Sequence, residues 1–207
     1  GHFNVPAWLD GLIAKGALGQ KTKGGIFRKQ GKAIQVFDPA SGDYRDSDDS
    51  LAPEVDAMLK MSDPAARLSA LRTSHHPQAQ FLWAIFRDLF HYCAVQLENV
   101  ADNARDVDFA LRWGFGWAQG PFELWQAAGW AETAQAIAAD IAAGKAMSSV
   151  PLPAWVMTKG RTGVHGPAGS WSARLQGNMS RSTWPVYGRQ LSPELLLGET
   201  LAQPEKS

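Results

Sequence analysis

Asp106-Val107-Asp108-Phe109-Ala110-Leu111-Arg112-Trp113-Gly114-Phe115-Gly116-Trp117-Ala118-Gln119-Gly120-Pro121-Phe122 is the stretch on which the fold turns. An acidic residue that can cap a helix stands ahead of a run with apolar residues at helical spacing. Gly114 supplies a stop, and Gly120-Pro121 a fresh start. It therefore reads as helix, break, helix, with Asp106 as the first cap and Gly129 closing the second helix.

The surroundings extend the helical pattern. Pro77 opens the longest helix, to about Val100. Phe81, Leu82, Ile85, Phe86, Leu89, Phe90, Cys93, Val95 and Leu97 leave it little polar face, so a central, buried helix is expected. Asp63-Pro64 opens a shorter helix to about Arg72, with Asp63 or Ser62 as cap. An Ala-rich helix runs from Ala131 to Ala143 and stops at Gly144. Near the start, Val5 to Lys15 reads as a helix with Leu9, Leu12 and Ile13 on one face. Two strands follow, Ile26 to Arg28 and Ala33 to Phe37, then a turn at Ser41-Gly42-Asp43 and a solvated acidic run at Asp46, Asp48 and Asp49. Ser192-Pro193-Glu194 suits the start of a last short helix, and Gly1-His2 reads as a remnant of an expression tag. The fold class is mostly α with small β-hairpins.

A weak internal repeat runs through this pattern. Pro6-Ala7-Trp8-Leu9 returns as Pro153-Ala154-Trp155-Val156, and Gly16, Gly19, Gly25 and Phe27 return as Gly160, Gly163, Gly169 and Trp171. The second copy is preceded by the helical block from Pro77 to Gly144, whereas the first copy begins at its Pro-Ala-Trp segment. The expectation is that the first helical unit is truncated. Its face at Leu9, Leu12 and Ile13 is then covered by a second copy or by the second unit, with low exposure for all three. Four segments follow: 3–45, the end of a first helical unit plus hairpin; 46–75, a linker with a short helix; 76–172, a second helical unit; and 173–207, a tail or linker toward a further domain.

Composition narrows the function. Twenty Lys and Arg balance twenty Asp and Glu, which argues against nucleic acid or an anionic membrane as partner. No secretory signal or membrane-length apolar run is present, and Cys93 is the single cysteine, so a reducing, cytoplasmic setting is expected. Cys93 sits among apolar residues at helical spacing and reads as a buried, inert thiol.

Other candidate chemistry has plainer readings. Gly19-Gln20-Lys21-Thr22 invites comparison with a phosphate loop, but that loop needs Gly directly before the Lys and another at position 15, which is Lys15. A structural turn is favoured, with Lys21 and Lys23 as at most point charges toward phosphates. His75-His76 lacks partners at metal-ligand spacing and reads as loop. Asp106, Asp108 and Glu98 are candidate acid–base carboxylates, with helix capping as the preferred account. Trp113, Trp117, Trp125 and Trp130 read as packing between helices rather than as the lining of an acyl cleft. No residue of this chain is assigned a catalytic, cofactor-binding or metal-binding role.

Two motifs carry a family resemblance. Gly16-Ala17-Leu18-Gly19-Gln20-Lys21-Thr22-Lys23-Gly24-Gly25-Ile26-Phe27 resembles the motif closing the first C-terminal unit of bacterial 3-hydroxyacyl-CoA dehydrogenases, and Asp106 to Phe122, continued by Leu124 and Gly129, is similar to the motif inside such a unit. The multifunctional β-oxidation proteins carry two of these units in tandem. The resemblance implies a parent enzyme that oxidises (3S)-3-hydroxyacyl-CoA with NAD, using a Rossmann domain and a His-Glu pair absent from this sequence. Where the family's first unit places an Asn before an Arg, this unit has Phe86 before Arg87, so it is expected to be non-catalytic. The implied role is to close the acyl-CoA cleft and to pack against a copy of itself, as homodimer or tandem pair. The implied partners are an N-terminal NAD-binding domain and, beyond Arg189, an enoyl-CoA hydratase-like domain. A stand-alone helical protein-interaction module and an acyl-CoA-binding module are the alternatives.

Overall fold

The computed structural model describes residues 5–48 and 50–181, so the Ser192 helix start, the Gly1-His2 remnant, Asp49 and most of the 173–207 tail lie outside the described residues. The chain forms two compact units, residues 1–52 and 53–207. Helix dominates, with two small antiparallel sheets, as the mostly α reading expects.

The first unit opens with α1 (Ala7–Ala14), begun after Pro6 and stopped where Gly16 takes φ 73°. A 3₁₀ turn over Gln20–Thr22 follows. The chain then folds into β1 (Phe27–Gln30), β2 (Ala33–Asp38) and β3 (Asp43–Asp46). The turn between β1 and β2 is tighter than the sequence suggests, because Gly31 at φ 61° lets Gln30 pair directly with Ala33. The third strand replaces the expected acidic loop at Asp46. Trp8 stacks on Phe37 at 6.0 Å, and Phe37 meets the edge of Tyr44 at 5.5 Å. The common face expected of Leu9, Leu12 and Ile13 is only partly covered. Leu12 is 3% exposed and Leu9 half-buried, but Ile13 is 50% exposed, which corrects the expectation of low exposure for all three.

The second unit begins with α2 (Pro53–Leu59) and α3 (Pro64–Thr73), two helices where the sequence reading has one. Asp63 caps α3, its carboxylate accepting from the amides of Ala65 and Ala66. The long helix α4 spans Pro77–Val100 as expected and packs against α3, α5 (Ala104–Phe115) and α6 (Pro121–Ala127). Its buried stripe is Ala79, Trp83, Phe90, Ala94 and Leu97. The opposite face is open, however, with Phe81 64%, Ile85 48% and Val100 65% exposed, so α4 is not buried all round. Asn103 rather than Asp106 caps α5: its side-chain oxygen accepts from the Arg105 amide at 2.9 Å, and its amide group donates to Asp106, which sits in the first turn. Asn caps as well as Asp does, and starting at Asn103 gives the helix three extra residues. The helix also runs through Gly114 and stops at Gly116, whose φ of 69° suits the left-handed stop. After α7 (Trp130–Ala142) the chain closes with β4 (His165–Gly166), β5 (Gly169–Ser172) and β6 (Gly177–Met179).

The repeat is partly visible. Gly16 and Gly160 both take positive φ, at 73° and 79°, and both copies lead into an antiparallel hairpin carrying Phe27 or Trp171. The copies differ in detail. Pro153 starts a single turn in place of an eight-residue helix, and the second hairpin has a four-residue loop between Ser172 and Gly177.

Candidate functional site

The densest polar constellation among the described residues is built on Asp108, which is fully buried. Helix α6 begins with Gly120-Pro121, so the residue at its cap position has no side chain to offer. Asp108, on α5, supplies the cap from outside. One carboxylate oxygen accepts from the Phe122 amide at 2.8 Å and the other from the Glu123 amide at 3.0 Å. Gly120 has to be glycine for this approach, since a Cβ there would lie 2.3 Å from that of Asp108. Its amide donates to Glu123 at 2.8 Å, and Arg112 lies 3.5 Å from the same carboxylate. The spacing from Asp108 to Gly120-Pro121 is thus a helix junction.

A third partner arrives from 57 residues downstream. His165 Nε2 lies 2.7 Å from Asp108 Oδ2, and His165 Nδ1 lies 2.9 Å from the Ser170 hydroxyl. With Nε2–H donating to the carboxylate, Nδ1 is left to accept from Ser170. Gln126, on α6, holds the same strand by accepting from the amides of Val164 and His165 and donating to the His165 carbonyl. Gly163 must be bare here, because a Cβ would meet the Gln126 side chain at 2.0 Å.

Ser, His and Asp are the residue types of a nucleophilic triad. Burial decides against that chemistry: the His165 and Asp108 side chains are 0% exposed and Ser170 is 1% exposed. No substrate carbonyl can reach the hydroxyl, and Asp108 already serves as a helix cap. Burial pushes the Asp108 carboxyl above the usual carboxylate value, against the pull of His165 and the Phe122 and Glu123 amides. The constellation is a clamp joining α5, α6 and the second sheet.

The sequence-level candidates fall around this clamp. Glu98 is exposed while Asp108 is buried, so the two do not form an acid–base pair. Burial pushes the Asp106 carboxyl up as well, but its partner is the Asn103 cap. Cys93 is 7% exposed, and burial followed by the nearby Asp108 pushes its thiol up to about 12, which makes it inert at neutral pH. His75 is exposed in the loop, whereas His76 caps α4 through Nδ1, which accepts from the Gln78 amide. Among the described residues, no group of three or more His, Cys, Asp or Glu could hold a metal ion, and no helix is long and apolar enough to cross a membrane. Phe86 is half-buried and tilts onto Phe90. Arg87 is buried, bridging Asp88 at 2.9 Å and Asp140 at 3.3 Å.

The Gly19–Gly24 turn consumes most of its own donors. The amides of Thr22 and Gly24 both reach the Gly19 carbonyl, the Lys23 amide reaches Gln20, and the Thr22 hydroxyl accepts from the Leu18 amide. Few amides are left there for a phosphate. Gly25 is glycine because a Cβ would lie 2.9 Å from the Gly19 backbone.

The tryptophans divide. Trp125 and Trp130 are buried and stack at 4.2 Å, extending a run of rings from Phe90 through Trp155 to Trp171. Trp113 and Trp117 are 70% and 41% exposed, with Phe115 at 71%, which corrects the packing reading for those two. The His165, Ser170 and Gln126 contributions were not identified from sequence. His165 stands alone in Gly163-Val164-His165-Gly166, and nothing local ties it to Asp108.

Over 133 residues the chain is 32% identical to a probable 3-hydroxyacyl-CoA dehydrogenase of Bacillus subtilis (strain 168), covering 64% of this chain and 17% of that protein. It is also 29% identical over 126 residues to a putative fatty acid oxidation complex trifunctional enzyme of Rickettsia felis, covering 59% of this chain and 16% of the relative. A protein of the same description in Rickettsia prowazekii is 27% identical over 119 residues, 56% of this chain and 15% of its own length. The chain therefore spans less than a fifth of each of these relatives. The resemblance to 3-hydroxyacyl-CoA dehydrogenases read from the two motifs is matched by these relatives. No family model matches the chain, and no solved structure matches it significantly.

Proposed function

We propose that this chain is the helical C-terminal part of an NAD-dependent (3S)-3-hydroxyacyl-CoA dehydrogenase of fatty-acid β-oxidation, a cytoplasmic enzyme in which these residues scaffold rather than react. The observation that carries the reading is the 133-residue match to the Bacillus subtilis protein. The geometry supports it. The motif from Asp108 to Gly120 is spent on a buried helix junction, and Phe86 has no group with which to hydrogen-bond a substrate.

The parent reaction passes hydride to NAD. The residues described here do not fit that cofactor. Both sheets are three-stranded and antiparallel, whereas a dinucleotide cradle uses parallel strands and a Gly-rich turn into a helix. NAD and the proton chemistry accordingly belong to an N-terminal domain of the parent, and this part covers the acyl-CoA cleft and packs against its copy. The open apolar faces, at Phe81 and Ile85 on α4 and at Trp113 and Phe115 at the end of α5, suit such contacts. The same exposed aromatics also favour the second reading, a protein-interaction module without a catalytic parent.

The gene separates the two. A Gly-x-Gly-x-x-Gly fingerprint upstream of residue 1 in the same frame is expected, and a native start codon at residue 3 would overturn the dehydrogenase reading. A second check is activity: the purified chain should not oxidise NADH with acetoacetyl-CoA, and turnover above a buffer control would refute the scaffold role.

A further inference from the structure

Beside the clamp, the turn from Thr158 to Gly163 and the β5–β6 hairpin wall an open cleft of about 390 Å³. Its side-chain charges are of one sign. Lys159 and Arg161 line it and, among the described residues, no Asp or Glu does, while His165 contributes backbone only, its side chain being 0% exposed. Arg161 is held in place by rings, with its guanidinium carbon 4.0 Å from the centre of Trp171 and 5.6 Å from that of Trp155.

This arginine lacks the counter-charge that Arg87 and Arg112 have. Arg87 meets Asp88 and Asp140, and Arg112 meets Glu123. Arg161 makes one hydrogen bond, from Nη1 to the Gly163 carbonyl at 3.3 Å, while its Nε is buried without a partner. Trp171 Nε1, on the same wall, is also buried without a partner. Burial pulls the Arg161 guanidinium below its ordinary value, and no carboxylate opposes that pull. Unpaired buried donors in a native fold call for an explanation, and both residues that carry these line the cleft.

We propose that this cleft binds a phosphate group. A planar guanidinium fork and a lysine point charge facing one opening suit a dianion with several acceptor oxygens better than a single carboxylate. The hydroxyls of Thr158 and Thr162 on the same rim add neutral donors. The inference does not rest on the dehydrogenase reading and stands if that reading fails.

The test uses the full 207-residue chain labelled with ¹⁵N. The Arg161 Nε–H and Trp171 Nε1–H resonances, assigned with Arg161→Gln and Trp171→Phe, are followed during titration with inorganic phosphate, coenzyme A and 3′-dephospho-coenzyme A. A saturable shift of both resonances is expected. Affinity should fall on the order of tenfold in Lys159→Gln, an exposed position whose change should leave melting unaltered, and at least as much in Arg161→Gln. A shift with coenzyme A that the dephospho form does not produce identifies the nucleotide 3′-phosphate as the group bound. A shift produced equally by inorganic phosphate identifies the free ion. The proposal is overturned if no probe gives a saturable shift up to about 10 mM, or if Lys159→Gln binds as tightly as the unaltered chain.

Discussion

Trp8 and Trp155 occupy the same place in the internal repeat but not the same environment. Trp155 is 7% exposed and touches Phe122, Trp130 and Trp171, whereas Trp8 is half-buried and has Phe37 as its stacking partner. Downstream the contrast holds: Trp171 is half-buried beneath Arg161, but Phe27 is 58% exposed. The second copy is packed by the helical block that precedes it. The first copy has its own small sheet and leaves Val5, Ile13, Leu18, Phe27 and Ile34 at least half exposed. Local motifs thus specify the turn and the hairpin, while burial comes from whatever helices stand upstream.

The sharpest way to break this comparison is to truncate both tryptophans. Trp155→Ala removes a ring from the middle of a buried stack and should cost about 3–5 kcal/mol in urea unfolding. Trp8→Ala should cost about 1–2 kcal/mol. Equal losses would show that the two copies are packed alike.

Gly25 and Gly169 test the turns in the same manner. Gly169 takes φ 104°, and an added Cβ would meet the Met179 carbonyl at 1.9 Å, so Gly169→Ala demands a backbone shift and should cost about 3 kcal/mol. Gly25 has no such φ, and its Cβ would lie 2.9 Å from Gly19, a strain of about 1 kcal/mol. If Gly25→Ala proves the worse of the two, the correspondence between the hairpins is misplaced.

Some of this was legible in sequence because it is local. Pro77, Gly129 and Gly144 punctuate helices through φ and the missing amide, and α4 ends where its periodicity does. The helix Pro53–Leu59 was missed because seven residues give too few turns for a periodic signal. The sequence does not tell Asn103 from Asp106 as the cap, because both types cap and only the backbone decides between them. The clamp was half legible: Asp108 and Gly120-Pro121 stand out as a motif, but His165 and Ser170 join it through tertiary packing alone. The exposure of Trp113 and Trp117 was hidden for the same reason, since composition reports that tryptophans prefer burial, not which ones achieve it.

The clamp, which belongs to the second unit alone, adds a dependence on pH. Burial raises the Asp108 carboxyl in the folded state, so the folded chain holds that proton to higher pH than the unfolded chain does. Its contribution is complete below the unfolded value of about 3.9 and is lost as pH rises through the folded value. The stability advantage of the unaltered chain over Asp108→Asn, which does not titrate, should therefore shrink as pH rises from about 4 toward neutrality. An advantage that grows with pH would show instead that His165 and the two amides hold the carboxylate ionised.

The smallest expected effect, that of Ile13→Lys, concerns the face that the first unit leaves open. Leu12 and Ile13 are neighbours on α1, one 3% and the other 50% exposed. Leu12→Lys would place an ammonium where a buried side chain stands and should destabilise the chain by several kcal/mol, about the range for an unpaired buried charge. Ile13→Lys should stay within about 0.5 kcal/mol, because that side chain already faces water. Association distinguishes a harmless exposed residue from one awaiting a partner. If a second copy covers this face, light scattering of the unaltered chain should show mass rising with concentration, and Ile13→Lys should return it to a monomer at unchanged stability. A monodisperse monomer in both proteins would show that a second copy does not cover the face, which would leave the helices of a longer parent as its expected cover.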